Sequence, residues 1–209
     1  MIGEIDAIQD GIRKPDPGAI QSILTEVLRL KRLVDDLHVL FVEEAKPLNY
    51  ETEALGIMET VEASIDRLAA DFVQSRITVS RRWETDALVM GDREGLIQVF
   101  SNIFKNTCRY TDSPGRLVIS GSVEAREISL KFDDTPPGIP GDKLGKIFDR
   151  LFRADPSRSR KTGGSGIGLA ICKTIVERHG GRIFASGSKL GGLRIEIRLP
   201  LAARFNPSP

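Results

Sequence analysis

Asn102 and Asn106 stand four residues apart, with Arg109 three further on, so a helix carrying them places all three on one face. Amide oxygens can coordinate Mg²⁺, amide NH₂ groups can bond phosphate oxygens, and a guanidinium can neutralise phosphate charge. The same spacing also describes the solvated face of an ordinary amphipathic helix. A second group is Gly163-Gly164-Ser165-Gly166-Ile167-Gly168-Leu169. Glycines let backbone amides approach an anion, and a helix beginning there would point its positive end at that anion. The spacing is neither the dinucleotide fingerprint nor a P-loop, which ends in Gly-Lys-Ser/Thr. A flexible hinge is the plainer reading of these glycines.

Asp134 begins a third group, Asp134-Thr135-Pro136-Pro137-Gly138-Ile139, directly after an alternating run. A carboxylate at a strand's end can accept a hydrogen bond from an exocyclic amine, which adenine carries and guanine lacks at that position. Leaving such a buried acceptor unpaired costs about 1–3 kcal/mol. An aspartate that only forms a turn before prolines is the alternative. The fourth group, Phe148-Asp149-Arg150-Leu151-Phe152-Arg153, offers aromatics to pack on a base or lid and arginines to reach phosphate. Ordinary helix packing would place them equally well.

Several elements must position these groups. Ile2, Ile5, Ile8 and Ile12 suit a short helix, broken at Lys14-Pro15. Asp16 before Pro17 is a helix-start signal, a capping carboxylate followed by proline at the first helical position. Ile23, Val27, Leu30, Val34, Leu37 and Phe41 then follow a heptad seam. A seam needs a partner, which predicts a helical hairpin that dimerises into a four-helix bundle. A hairpin packing on its own domain is the alternative. Beyond Lys46 the pattern predicts a short strand at 49–53 and a helix carrying Ile57, Val61, Ile65, Leu68 and Phe72. Strands follow near 78–80 and 88–90, then a helix opened by Gly91-Asp92 and bearing Leu96, Val99, Phe100, Ile103 and Phe104. Alternation over Leu117–Val123 and Ile128–Phe132 predicts adjacent antiparallel strands. The stretch 135–166 has little periodicity, and a loop that long is usually functional. A helix over 166–178, ended by Gly180-Gly181, and strands at 183–186 and 193–199 complete the chain, with a disordered tail at 205–209. The expected fold class is α+β. A two-layer α/β sandwich, a mixed sheet with helices on one face, occupies 47–209, and a helical hairpin precedes it at 1–46.

Composition bounds the partners. A net charge of +1 provides no global attraction to nucleic acid or to anionic membrane, and none is expected as a partner. No apolar run approaches the roughly 20 residues of a membrane span, and the first residues lack the pattern of a signal peptide. Cys108 and Cys172 lie far apart in helical patterns and read as reduced core thiols of a cytoplasmic protein.

In this order the four groups resemble the N, G1, F and G2 boxes of the sensor histidine kinases. The catalytic domain of that family belongs to the ATP-binding type shared with gyrase, Hsp90 and MutL. The resemblance covers Lys46 to about Leu199, while Leu33-Val34-Asp35-Asp36-Leu37 matches the end of the family's dimerisation hairpin. Gly3–Gly11 and Arg109-Tyr110-Thr111-Asp112 look most like envelope-stress kinases of the BaeS type. The resemblance implies ATP and Mg²⁺ as cofactors, and transfer of the γ-phosphate to a histidine for relay to a response-regulator aspartate. By position, Asn106 would hold Mg²⁺, and Asn102 would contact phosphate or the metal shell. Arg109 would contact phosphate and Tyr110 would line the pocket. Asp134 would bind the adenine amine, with Gly138 allowing close approach. Gly164, Gly166 and Gly168 would shape the phosphate lid, and Ile139, Phe152 and Leu169 would complete the ATP site. In hydrolytic relatives a glutamate that activates water stands where Asn102 does, and an amide cannot act as that base. Transfer needs mainly positioning and charge neutralisation.

The resemblance also has gaps. The phosphoacceptor motif, a histidine followed by an acidic residue, is absent. His38 precedes Val39 beside the seam and reads as a bundle-flank histidine, and His179 reads as a helix cap compatible as an imidazolium with the helix dipole. The chain is therefore expected to be a fragment that does not autophosphorylate, dimeric through its hairpin and partnered by a cognate response regulator. It would be cytoplasmic itself, and the full-length protein would sit in a bacterial inner membrane through an upstream region. Pro136 replaces the first glycine of the G1 pattern, and Lys105 stands where the family often has an acidic or small residue. A non-catalytic regulatory module and a hydrolytic ATPase are the competing readings.

Overall fold

The computed structural model describes residues 10–12, 16–45, 52–83, 87–154 and 164–202. Its first element is the helix α1 (Pro17–Ala45). Asp16 caps it as the sequence predicts, its Oδ1 accepting from the Ala19 amide at 2.7 Å. The expected first helix of a hairpin lies largely outside the described residues, and Ile12 is exposed in a bend. Along the seam, Ile23 and Leu37 are half-buried, whereas Val27, Leu30, Val34 and Phe41 are exposed. The opposite side of the last turns docks on the rest of the chain. Leu40 is fully buried there, and Leu33, Leu37 and Val39 pack against the same core.

The domain that follows runs β1 (Glu53–Gly56), α2 (Ile57–Arg67), α3 (Ala69–Ser75), β2 (Ile77–Arg82), β3 (Leu88–Gly91) and α4 (Arg93–Tyr110). It continues with β4 (Gly115–Glu124), β5 (Glu127–Asp134), the short α5 (Gly141–Leu144), α6 (Gly168–Arg178), β6 (Arg182–Gly187) and β7 (Leu193–Pro200). The predicted α+β class and the alternation of elements hold, with four differences. The strand expected at 49–53 begins only at Glu53 among the described residues. The helix expected through Ile57–Phe72 breaks at Leu68, which leaves helical geometry at φ −114° and ψ 14°, while Leu68 and Phe72 stay buried. The stretch after Asp134 holds α5, too short to show a period. β1 and β3 pair with each other as a separate two-stranded sheet, not with the main one.

The main sheet has the order β2-β4-β5-β7-β6, with β2 parallel to β4 and every other pair antiparallel. Register places Ile119 opposite Phe132, Leu130 opposite Ile197, and Ile128 opposite Leu199, so one face is continuously apolar. The other face carries the pairs Lys131–Glu196 and Asp133–Arg194. The helices cover the apolar face. Leu96, Val99, Phe100, Ile103 and Phe104 of α4 are all buried, and Phe72, Phe100, Phe104 and Phe132 form a chain of tilted ring contacts at 5.6–5.9 Å. This packing fixes the rotation of α4 and turns the Asn102, Asn106 and Arg109 face away from the sheet.

Candidate functional site

Between α4, the end of β5, α5 and the start of α6 lies a cavity of about 820 Å³. Its walls bring together Asn102, Asn106, Arg109, Tyr110, Asp134, Gly138, Ile139, Phe152, Gly164, Gly166, Gly168 and Leu169. Every residue that sequence reasoning assigned to nucleotide binding therefore lines one space, although the assignments came from four separate segments. Gly163 lies outside the described residues.

Asp134 forms the deep end. It is the last residue of β5, and strand alternation turns it toward the helical layer while Asp133 faces the other side. Its Oδ1 accepts from the Leu193 amide at 2.6 Å. Burial pushes its carboxyl up to about 6, against the opposing pull of the Leu193 amide and of the neighbouring Thr111 and Thr107 hydroxyls. Thr111 Oγ1 is buried and closes no hydrogen bond of regular geometry. An acceptor at Asp134 beside a buried hydroxyl with bonding capacity to spare suits a ligand edge bearing an amine. On the outer face Arg194 clasps Asp133 bidentately at 2.8 and 2.9 Å.

The opposite end is polar and cationic. Asn102 donates through Nδ2 to the Gly168 carbonyl at 3.2 Å, which ties α4 to the first residue of α6 and leaves its Oδ1 as the remaining acceptor. Asn106, Arg109, Lys105, Lys143 and Arg153 stand around the same space. No side chain caps α6, so the first amides of that helix remain available to an anion. Among the described residues no cluster of three His, Cys, Asp or Glu could hold a metal. A Mg²⁺ ion here would need phosphate oxygens for most of its shell, with one or two protein oxygens such as Asn106 Oδ1, which is how Mg²⁺ is commonly held.

The glycines divide by role. A Cβ at Gly164 would strike the Tyr110 hydroxyl at 2.4 Å, and Gly166, at φ +77°, would strike Leu151 and Phe152 backbone at 2.9 Å. Gly164 thus lets the segment entering α6 lie against Tyr110 of α4, and Gly166 lets it lie against the Leu151–Phe152 backbone, while the Arg153 guanidinium donates to the Gly164 carbonyl. A Cβ at Gly168 would meet Asn102 only at ordinary contact distance, 3.7 Å, so its contribution is the carbonyl. Gly138 lines the cavity and also faces a second backbone segment. Its Cβ would meet the Gly192 and Gly191 carbonyls at 3.2 and 3.3 Å, so it admits the β6–β7 turn as well as the cavity.

Sequence reasoning missed several contributors. The Leu193 amide has no side-chain signature. Asp35 and Asp36 reach the cavity from α1, which only the docking of that helix reveals, and Lys143 does so from α5. The two thiols behave as expected. Both are free, and burial pushes Cys108 to about 11 and Cys172 to about 12. His38 is exposed. His179 is a cap, but not as an imidazolium. Its Nδ1–H donates to the Ile175 carbonyl at 2.7 Å while Nε2 accepts from the Asp92 amide at 3.0 Å, a neutral tautomer joining the end of α6 to the start of α4.

Comparison with known proteins agrees with this geometry. Residues 91–203 match the family described as histidine kinase-, DNA gyrase B-, and HSP90-like ATPase. The signal transduction histidine-protein kinase BaeS of Escherichia coli is 41% identical over 199 residues, 95% of this chain but 43% of BaeS. The chain thus spans less than half the length of that curated relative. The solved structure of the Acinetobacter baumannii histidine kinase AdeS superposes with a TM-score of 0.72 at 26% identity, covering 96% of this chain and 93% of that one. Histidine kinase ThkA, solved in complex with response regulator protein TrrA, shares the fold at a TM-score of 0.74 and 21% identity, covering 96% of this chain and 56% of that one. With the polar face of α4, the buried Asp134 and the glycine segment meeting in one cavity, the chain belongs to the histidine kinase-, DNA gyrase B- and HSP90-like ATPase family and carries the ATP-binding catalytic domain of a sensor histidine kinase.

Proposed function

We propose that this domain binds ATP with Mg²⁺ and positions the γ-phosphate for transfer to a histidine on a helical hairpin, for relay to a response-regulator aspartate. The observation that carries the reading is Asn102. It stands at the phosphate end, where hydrolytic relatives place a glutamate, and its Nδ2 is engaged with the Gly168 carbonyl. An amide held in that way cannot take a proton from water, so the site is built to hold a phosphoryl group still for an external nucleophile. In this reading Asp134 accepts from the adenine amine, and Arg109 with the open start of α6 neutralises phosphate charge. Asn106 supplies an oxygen to Mg²⁺, whose chemistry when bound is to screen the β- and γ-phosphates.

The domain arrangement belongs to the same proposal. Residues 1–46 form part of the dimerisation and phosphotransfer hairpin, residues 47–209 the catalytic domain, and two copies associate through the exposed seam of α1. A response regulator is the partner, as it is for ThkA. A membrane enters only through a region upstream, and none of the described helices is long and apolar enough to cross one.

Isothermal titration with a non-hydrolysable ATP analogue and Mg²⁺ tests the binding step. Heat is expected from the wild type, and Asp134→Ala should weaken binding at least about tenfold, the cost of one unpaired buried partner. A separate hairpin bearing a histidine should then be labelled by γ-³²P-ATP. No binding heat, or rapid phosphate release without label on the acceptor, refutes the transfer reading.

A further inference from the structure

We propose that the Gly192–Leu193 step, at the end of the β6–β7 turn, is the positioning element that sets which purine the cavity accepts: it fixes Asp134 with one oxygen bound to protein and the other presented to the base. This inference rests on the reading of Asp134 as the base-binding residue. Leu193 is the first residue of β7, and the ladder between β5 and β7 ends one residue later, at Asp133–Arg194. Its amide is therefore not used by β5, and it donates to Asp134 Oδ1 at 2.6 Å. Leu193 itself lines the cavity.

Gly192 is what allows that bond. A Cβ there would stand 2.3 Å from Asp134 Oδ1, 2.4 Å from the Thr135 carbonyl and 2.5 Å from the Asp134 carbonyl. Two of these are backbone atoms, which cannot swing aside. Gly138 completes the fit from the other chain segment by facing the Gly191 and Gly192 carbonyls. Arg194 then clamps the neighbouring Asp133 from the outer face, so the strand end cannot rotate as a unit. A carboxylate pinned in this way has one acceptor oxygen left for a ligand. It reads a donor at the purine 6-position and rejects a carbonyl there.

The pinning makes a prediction that a freely rotating side chain would not share. In Asp134→Asn the carboxamide oxygen must stay on the Leu193 amide, which turns the NH₂ toward the base. Recognition should invert, with ATP binding weakened at least about tenfold and inosine triphosphate, a 6-oxo purine, bound more tightly than by the wild type. Gly192→Ala should weaken ATP binding by a similar factor. Gly187→Ala should not, since a Cβ there meets nothing within 4 Å on the same hairpin. If Asp134→Asn binds ATP as tightly as the wild type, the amide flips freely and the inference is overturned while adenine recognition stands.

A second measurement is independent of any nucleotide. The Leu193 amide resonance of the ligand-free protein should shift with the titration of Asp134 near pH 6. The charged groups beside it are Asp133 and its partner Arg194, while α4 and the residue after it contribute only the neutral Thr107 and Thr111. A Leu193 amide insensitive to pH between 5 and 7.5 would sink the inference. A pH-sensitive amide in a wild type that binds ATP and inosine triphosphate equally would mean that the pinned carboxylate does not read the base, and would overturn the inference together with the adenine reading.

Discussion

Asp134 is held in its charged form at a cost to the fold. Its carboxyl titrates near 6 in the folded chain, above an ordinary value of 3.8, because burial removes solvent from the anion. The folded state therefore binds more protons than the unfolded state between those limits, and stability falls as pH rises from about 4 to about 6. The shift corresponds to roughly 3 kcal/mol above pH 6. Asp134→Asn should thus be more stable than the wild type at pH 7 by up to about that amount. Urea unfolding of both proteins from pH 3.5 to 7.5 should show the difference growing only between about pH 4 and 6. A difference that stays flat across the range would contradict burial as the cause. Nucleotide affinity should move the other way, weakening below about pH 6 as the acceptor is protonated. The residues legible in advance were those whose side chains carry the chemistry at a readable spacing: Asn102, Asn106 and Arg109 on one helical face, and Asp134 at a strand's end. The Leu193 amide was not legible, since every residue but proline has one. Gly138 was legible as a point of close approach, but not for which backbone approaches it.

The elements are coupled in pairs, and His179 shows how. It links the C-terminus of α6 to the Asp92 amide that opens α4, and Gly91 has no Cβ because the imidazole ring occupies that space, 2.7 Å from where a Cβ would lie. At the start of α6, Asn102 from the middle of α4 bonds Gly168. Helix α6 is thus tied to α4 at both of its ends, once beside the cavity and once away from it. His179→Ala leaves the half-buried Asp92 amide without that acceptor and should cost about 1–2 kcal/mol in denaturant unfolding. Nucleotide affinity measured below the transition should be nearly unchanged. Equal losses in stability and affinity would mean that the far tie also shapes the site. Periodicity located α4 and α6 within a residue or two, because each buries a long apolar stripe. It misjudged α2 and α3 as one helix, because Leu68 and Phe72 keep the helical spacing of buried positions across a backbone break.

At the scale of the whole molecule, α1 presents two apolar surfaces, and only one is covered. Leu33, Leu37 and Leu40 meet the catalytic core, while Val27, Leu30, Val34 and Phe41 stay exposed. The seam was legible as a heptad; the second surface was hidden because Leu37 belongs to both. Sedimentation equilibrium should find self-association that Val34→Asp abolishes, with the nucleotide affinity of the catalytic domain retained. A monomeric wild type at tens of micromolar would argue against the seam as the dimer contact.

Sheet order also has a temporal meaning. β7 is the last strand among the described residues, yet it lies between β5 and β6, and it brings both the Leu193 amide and the Arg194 clamp. As the chain emerges from the ribosome, β5 has β4 on one side only, and the contacts that hold Asp134 and Asp133 are missing until residue 194 has been added. A nascent chain therefore acquires the deep end of its cavity only once β7 has been made, and one interrupted before residue 193 carries the asparagines and the glycines without the amide that holds Asp134.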